Sequence, residues 1–230
     1  MKKESMQRLV KGDAMVKLRS VKTESAQLVL TDPPYGIGYT SRTGVRIKND
    51  EHPFIWWMHD AFRICKPGGG ILCFTRWDIQ DSFKLALESA GFKIRSQIVW
   101  DKGGGGKGDL RAQFSPRHEL IWWATKGRFA FPDKRPMSVF PIAKPSNHKR
   151  THPTEKPVEL LCQLINATTR SGDLVVDPFS GTGSCGVAST LCGRRFFGVE
   201  LNAKYAMIAR RRIASARGNT YDGSRKSTEF

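Results

Sequence analysis

The sequence predicts an α/β fold in which a doubly wound, mostly parallel sheet is covered by helices on both faces. Three observations point there. Short apolar runs bounded by turn residues recur along the chain, segments with apolar residues at helical spacing lie between them, and no unit of roughly 20–50 residues repeats. At 230 residues the chain suits one domain with inserted loops. Residues 1–216 are expected to form it, and the polar segment 217–230 is expected to be a disordered tail.

The candidate strands are Leu28-Val29-Leu30, Ile71-Leu72-Cys73-Phe74, Ile98-Val99-Trp100, Leu120-Ile121-Trp122-Trp123, Leu174-Val175-Val176 and Phe196-Phe197-Gly198-Val199. Helical spacing links Phe54, Trp57, Met58, Ala61 and Phe62, then Ile79, Phe83, Ala86, Leu87 and Ala90, then Val158, Leu161, Cys162, Leu164 and Ile165. Pro157 suits the first turn of the third helix. A last helix is expected over 203–216, with Asn202 as N-cap and Arg210, Arg211 and Arg212 near its end, where cations complement the dipole or touch phosphate. The pairs Trp56-Trp57 and Trp122-Trp123 lie in apolar runs and read as core.

Composition narrows the function. Apolar residues are 39% of the chain but never gather into a membrane-spanning stretch, and the charged first residues do not resemble a secretory leader, so a cytoplasmic protein is expected. Cys65, Cys73, Cys162, Cys185 and Cys192 form no C-x-x-C pair and read as buried thiols, and the histidines show no metal spacing, so no metal is expected. Lys and Arg number 38 against 21 acids, a net charge of +17, which suits a polyanion. The basic residues crowd into residues 40–50 and 126–156, and the latter carries eight Lys or Arg against two acids.

Ligands of a doubly wound sheet lie beyond the carboxyl ends of its strands, so chemistry belongs just after the apolar runs. Thr31-Asp32-Pro33-Pro34-Tyr35 follows the first. Its prolines remove two backbone donors and leave carbonyls to accept. An amino group conjugated to a base ring is a poor nucleophile, and acceptance of its hydrogens by Asp32 and the Pro33 carbonyl would direct the nitrogen lone pair toward a methyl donor. Tyr35 offers a face on which an extruded base can stack.

The second constellation runs Leu174-Val175-Val176-Asp177-Pro178-Phe179-Ser180-Gly181-Thr182-Gly183 into a helix. Gly181, Gly183 and Gly186 fit G-x-G-x-x-G, and Glu200 ends the next strand, placed to accept from ribose hydroxyls. A nicotinamide dinucleotide would share this spacing. Asp177 ahead of the loop suits a cationic sulfonium cofactor better than a pyrophosphate.

Asp-Pro-Pro-Tyr, then His152-Pro153-Thr154-Glu155-Lys156-Pro157, then Asp-Pro-Phe-Ser-Gly-Thr-Gly resembles the DNA amino-methyltransferases of the beta class, adenine-specific type, across residues 11–213. The resemblance implies a Rossmann-like methyltransferase fold with a seven-stranded-type sheet, its catalytic half preceding its cofactor half, and S-adenosylmethionine as cofactor. It implies catalysis by Asp32, Pro33, Pro34 and Tyr35. It implies cofactor contacts from Asp13, Thr154, Lys156, Asp177, Phe179, Ser180, Gly181, Thr182, Gly183 and Glu200, with Asp13 near the adenine of the cofactor and 152–157 reaching its carboxylate. Gly12-Asp13 is also a common turn and helix start, and Lys156 could be a helix-start charge.

The expected reaction is methylation of adenine in double-stranded DNA. Cytosine-directed relatives more often carry Ser at the position of Asp32, and RNA or protein amide enzymes more typically read Asn-Pro-Pro-Tyr. A silent basic DNA-binding module is the rival from another class. The short segment near 126–150, broken by Pro132, Pro136, Pro141 and Pro145, cannot form a long recognition helix, so a short or relaxed target is expected unless a homodimer supplies a second reading surface.

Overall fold

A computed structural model describes residues 7–36, 52, 54–105, 111–144 and 155–222. The strands are β1 (Gln7–Lys11), β2 (Ala26–Thr31), β3 (Cys65–Thr75), β4 (Lys93–Asp101), β5 (His118–Thr125), β6 (Val139–Pro141), β7 (Leu174–Asp177) and β8 (Arg195–Glu200). The helices are α1 (Ala14–Lys17), α2 (Met58–Ile64), α3 (Gln80–Ser89), α4 (Val158–Thr168), α5 (Ser184–Leu191) and α6 (Ala203–Ser215). One eight-stranded sheet has the order β1-β8-β7-β2-β3-β5-β4-β6. Every pairing is parallel except those of β5, which runs against β3 and β4.

Side chains alternate across this sheet. Leu28, Leu30, Leu72, Phe74, Trp123, Val175 and Phe196 join one core with α4, α5 and α6. Val29, Ile71, Cys73, Trp122, Val176 and Phe197 join the other with α2 and α3. Burial on both faces explains why the strands read as continuous apolar runs rather than alternating ones.

All six candidate strands are present, and β1 and β6 are additional. Both are edge strands with one partner, so neither needs a long apolar run, and Pro141 is tolerated in β6 for the same reason. Asn202 caps α6, accepting from the Lys204 and Tyr205 amides. Pro157 stands one residue earlier than expected, as the N-cap of α4. All five cysteines are buried.

Three expectations are corrected. Trp56 is 69% exposed while Trp57 is fully buried, because they precede α2 on a turn that turns only one of them inward. The polar tail does not begin at residue 217: the Tyr221 amide donates to the Leu191 carbonyl and its ring packs on the core. Arg210 and Arg212, expected to complement the helix dipole or touch phosphate, are engaged within the protein, bonding the Leu9 carbonyl and Thr182. No described helix is long and apolar enough to cross a membrane.

Candidate active site

The site is built where the strand order reverses. β2 lies between β7 and β3 and is parallel to both, with Val29 opposite Val176, so the loops after β2 and β7 emerge side by side. The Thr31 hydroxyl donates to Asp177 Oδ1 at 2.9 Å, joining motifs 146 residues apart in sequence. β8 and β1 continue the same edge, and the Gly12 amide donates to the Glu200 carbonyl. Asp32, Asp177, Glu200 and Asp13 thus stand along one rim.

Asp32 has both carboxylate oxygens engaged. Tyr35 donates its hydroxyl to Oδ1, and the Lys156 ammonium lies 2.5 Å from Oδ2. Pro33 is buried. The Tyr35 ring meets Phe83 of α3 edge-on, with centroids 6.2 Å apart. Burial, then the Asp32 and Glu119 charges, pushes the Tyr35 hydroxyl well above its usual titration range, so it remains a donor.

Asp177 is buried and accepts from the Phe179 amide at 3.1 Å through the oxygen that Thr31 bonds. Burial raises its carboxyl to about 7, the Phe179 amide and Thr31 hydroxyl oppose the rise, and the charges of Asp32 and Glu200 add to it. Glu200 is raised by burial against the opposing amides of Asn202, Gly181 and Leu201. Its two oxygens accept from the Gly181 and Asn202 amides at 2.8 and 2.7 Å. Phe179 stands edge-on to Phe54 and Trp57 at 5.9 and 5.3 Å. Asp13 caps α1 by accepting from the Met15 amide, the helix-start role its sequence context allows.

The glycine loop divides its labour. Gly181 has φ +51°, and a Cβ there would meet nothing within 4 Å. Gly183 has φ +88°, and its Cβ would lie 2.8 Å from the Ala209 Cβ in α6, so the absence of a side chain here lets the start of α5 pack on α6. Ser180 donates to the Asp177 carbonyl, and Thr182 is held by Arg212, so both side chains shape the loop from within. Thr154 lies outside the described residues.

Lys156 is paired within the protein. Its ammonium sits between Asp32 and Glu119, 3.2 Å from the latter, and over the Phe74 ring at 5.0 Å. Glu119 and its second partner Lys102, at 3.4 Å, were missed by sequence reasoning. The available signal was a lone carboxylate heading the apolar run Leu120-Ile121-Trp122-Trp123. Also missed was Glu155, which accepts from Ser184 and Arg212 and so ties the approach to α4 to the glycine loop.

A family model described as DNA methylase matches residues 26–211, a span that contains both loops. The chain belongs to the DNA methylase family. This methylase is 32% identical to the Escherichia coli K12 protein YubD over 98% of each chain. It is 26% identical to the DNA adenine methyltransferase YhdJ of the same organism, over 89% of this chain and 82% of that one. M1.HpyAVI, solved as a complex with SAM, superposes with a TM-score of 0.72 at 23% identity, over 90% of this chain and 99% of that one, a likeness of fold.

Proposed function

We propose that this DNA methylase transfers a methyl group from S-adenosylmethionine to the exocyclic amino group of an adenine flipped out of double-stranded DNA, and that it does so in the cytoplasm. The observation that carries the reading is the Thr31–Asp177 hydrogen bond, which holds a carboxylate-and-aromatic loop beside a glycine loop on adjacent parallel strands. The names of YhdJ and of the M1.HpyAVI complex support adenine and the cofactor.

The residues present fit the cofactor. Gly181 opens onto free space, and the acids Asp177 and Glu200 suit a cation and a ribose. When bound, S-adenosylmethionine supplies an electrophilic methyl on a positively charged sulfur. Asp32 accepts a hydrogen of the target amino group and orients its lone pair, while the Pro33 carbonyl accepts the other. The Tyr35 ring stacks on the base, and its hydroxyl keeps Asp32 in place. Among the resemblance-derived contacts, Asp13, Thr154, Asp177, Phe179, Gly181 and Glu200 form the cofactor set, with Ser180, Thr182 and Gly183 supporting the loop from within.

Residues 1–216 act as one domain together with the segment that packs on it through Tyr221, and 126–150 form a short recognition region. Phe129 anchors that region, stacked edge-on against Trp123 at 4.9 Å, and Arg128, Lys134 and Arg135 are exposed on it. Its reach fits a target of few base pairs, and a homodimer is the arrangement that adds a second reading surface. The deciding experiment replaces Asp32 with alanine and follows methyl transfer to duplex DNA with identification of the modified base. Loss of N6-methyladenine with cofactor binding retained is expected. Near-normal turnover, or a different modified base in the wild type, refutes the reading.

A further inference from the structure

Asp32 does not stand alone on its loop. It ends a chain of alternating charges, Asp32–Lys156–Glu119–Lys102, with contacts of 2.5, 3.2 and 3.4 Å. The chain joins residues on or beside four elements. Asp32 follows β2, Lys156 precedes α4, and Glu119 on β5 is registered opposite Trp100 of β4, two residues before Lys102. The two lysines are sequestered, with side chains 10% and 7% exposed. Burying an ammonium is unfavourable unless carboxylates compensate it, so each member requires its neighbours.

We infer that Glu119 is a positioning residue for methyl transfer, acting through Lys156 to hold the Asp32 carboxylate in the orientation that accepts the target amino group. The inference rests on the role proposed for Asp32. Its physical content is a division of charge. An ammonium facing Asp32 alone would be drawn fully onto that carboxylate and would compete with the amino group for Oδ2. Glu119 draws part of that charge to the opposite side, and Lys102 keeps Glu119 from closing on Lys156 without limit. The groups facing Lys156 are Asp32, Glu119 and the Phe74 ring, and those facing Glu119 are Lys156, Lys102 and Lys144. Burial lowers the tendency of Lys156 to hold its proton, and the Asp32 and Glu119 charges more than restore it. Conversely, the lysines hold the Glu119 carboxyl below its usual range against burial.

The test is a double-mutant cycle on the full chain, using Glu119→Gln, Lys156→Met and the pair, with kcat and KM for duplex DNA, cofactor affinity and melting temperature read for each. Glu119→Gln should lower kcat ~10- to 100-fold, as small misplacements of a catalytic group do, with KM and cofactor affinity little changed. In the Lys156→Met background the same change should alter kcat by less than about twofold, because the route to Asp32 is already cut. Effects that multiply in the double variant overturn the inference, as does unchanged kcat in Glu119→Gln. A kcat loss that only tracks a fall in melting temperature also overturns it, and Lys102→Met, which keeps Glu119 itself, provides the second reading of that outcome. If instead Asp32→Ala retains turnover, the role of Asp32 fails and the cycle is not what failed.

Discussion

Gly183→Ala separates packing from ligand approach in the glycine loop. The substitution meets two costs that the structure supplies separately. At φ +88° a side chain sits in the left-handed region, which costs about 1–2 kcal/mol. The new Cβ would stand 2.8 Å from the Ala209 Cβ and 2.9 Å from its Cα, and relief of that contact requires α6 to move, about 1–3 kcal/mol for overpacking. Together these give about 2–5 kcal/mol, a fall of roughly 4–20 °C in melting temperature for a domain of this size. Gly181→Ala carries only the left-handed cost, because nothing lies within 4 Å of its Cβ, so roughly 2–8 °C is expected. Its methyl group projects into the space proposed for the cofactor. Thermal unfolding without cofactor, followed by calorimetric titration with S-adenosylmethionine, should therefore rank the variants oppositely: Gly183→Ala as the less stable, Gly181→Ala as the weaker binder per degree lost. Equal melting temperatures, or a Gly183→Ala protein that melts like wild type but does not bind, would refute the reasoning.

Further expectations concern charge and stacking. The Asp177 carboxyl sits at about 7 against an ordinary 3.8, so the folded state holds its proton more tightly than the unfolded chain does. Its contribution to stability is therefore full below about pH 4 and is lost as pH rises to about 7, up to about 4 kcal/mol. Asp177→Asn should remove that slope and melt higher than wild type at pH 8, and wild type should release a proton on binding the sulfonium cation at pH 6, visible as buffer-dependent binding heat; a flat stability profile contradicts the assignment. Tyr35→Phe should slow turnover because Asp32 loses a hydrogen bond, and Tyr35→Ala should slow it further by the worth of base stacking, about 1–3 kcal/mol. Equal rates for the phenylalanine and alanine variants would remove stacking from the account. Neutralising Arg128, Lys134 and Arg135 together should reduce the steepness of the log–log salt dependence of DNA affinity by up to about 2.7, and an unchanged slope would place the phosphate contacts elsewhere.

What the sequence determined by itself is the six inner strands of the sheet, the two loops and the order in which they occur. Buried parallel strands read as apolar runs wherever both faces are covered, and loop chemistry such as Asp32-Pro33-Pro34-Tyr35 or Asp177 through Gly183 is written in consecutive residues. β1 and β6 escaped because an edge strand has one partner and needs no continuous apolar stretch. Trp56 and Trp57 looked alike because adjacent residues share composition, while burial depends on which direction each side chain leaves the turn. The roles of Gly183, Ser180, Thr182 and Arg212 were also beyond reach, since α6 meets the glycine loop only after folding. The charge chain from Asp32 to Lys102 was decided by tertiary structure alone. Its members lie far apart in sequence, and an ion pair between them follows from strand order and register, which no local pattern encodes.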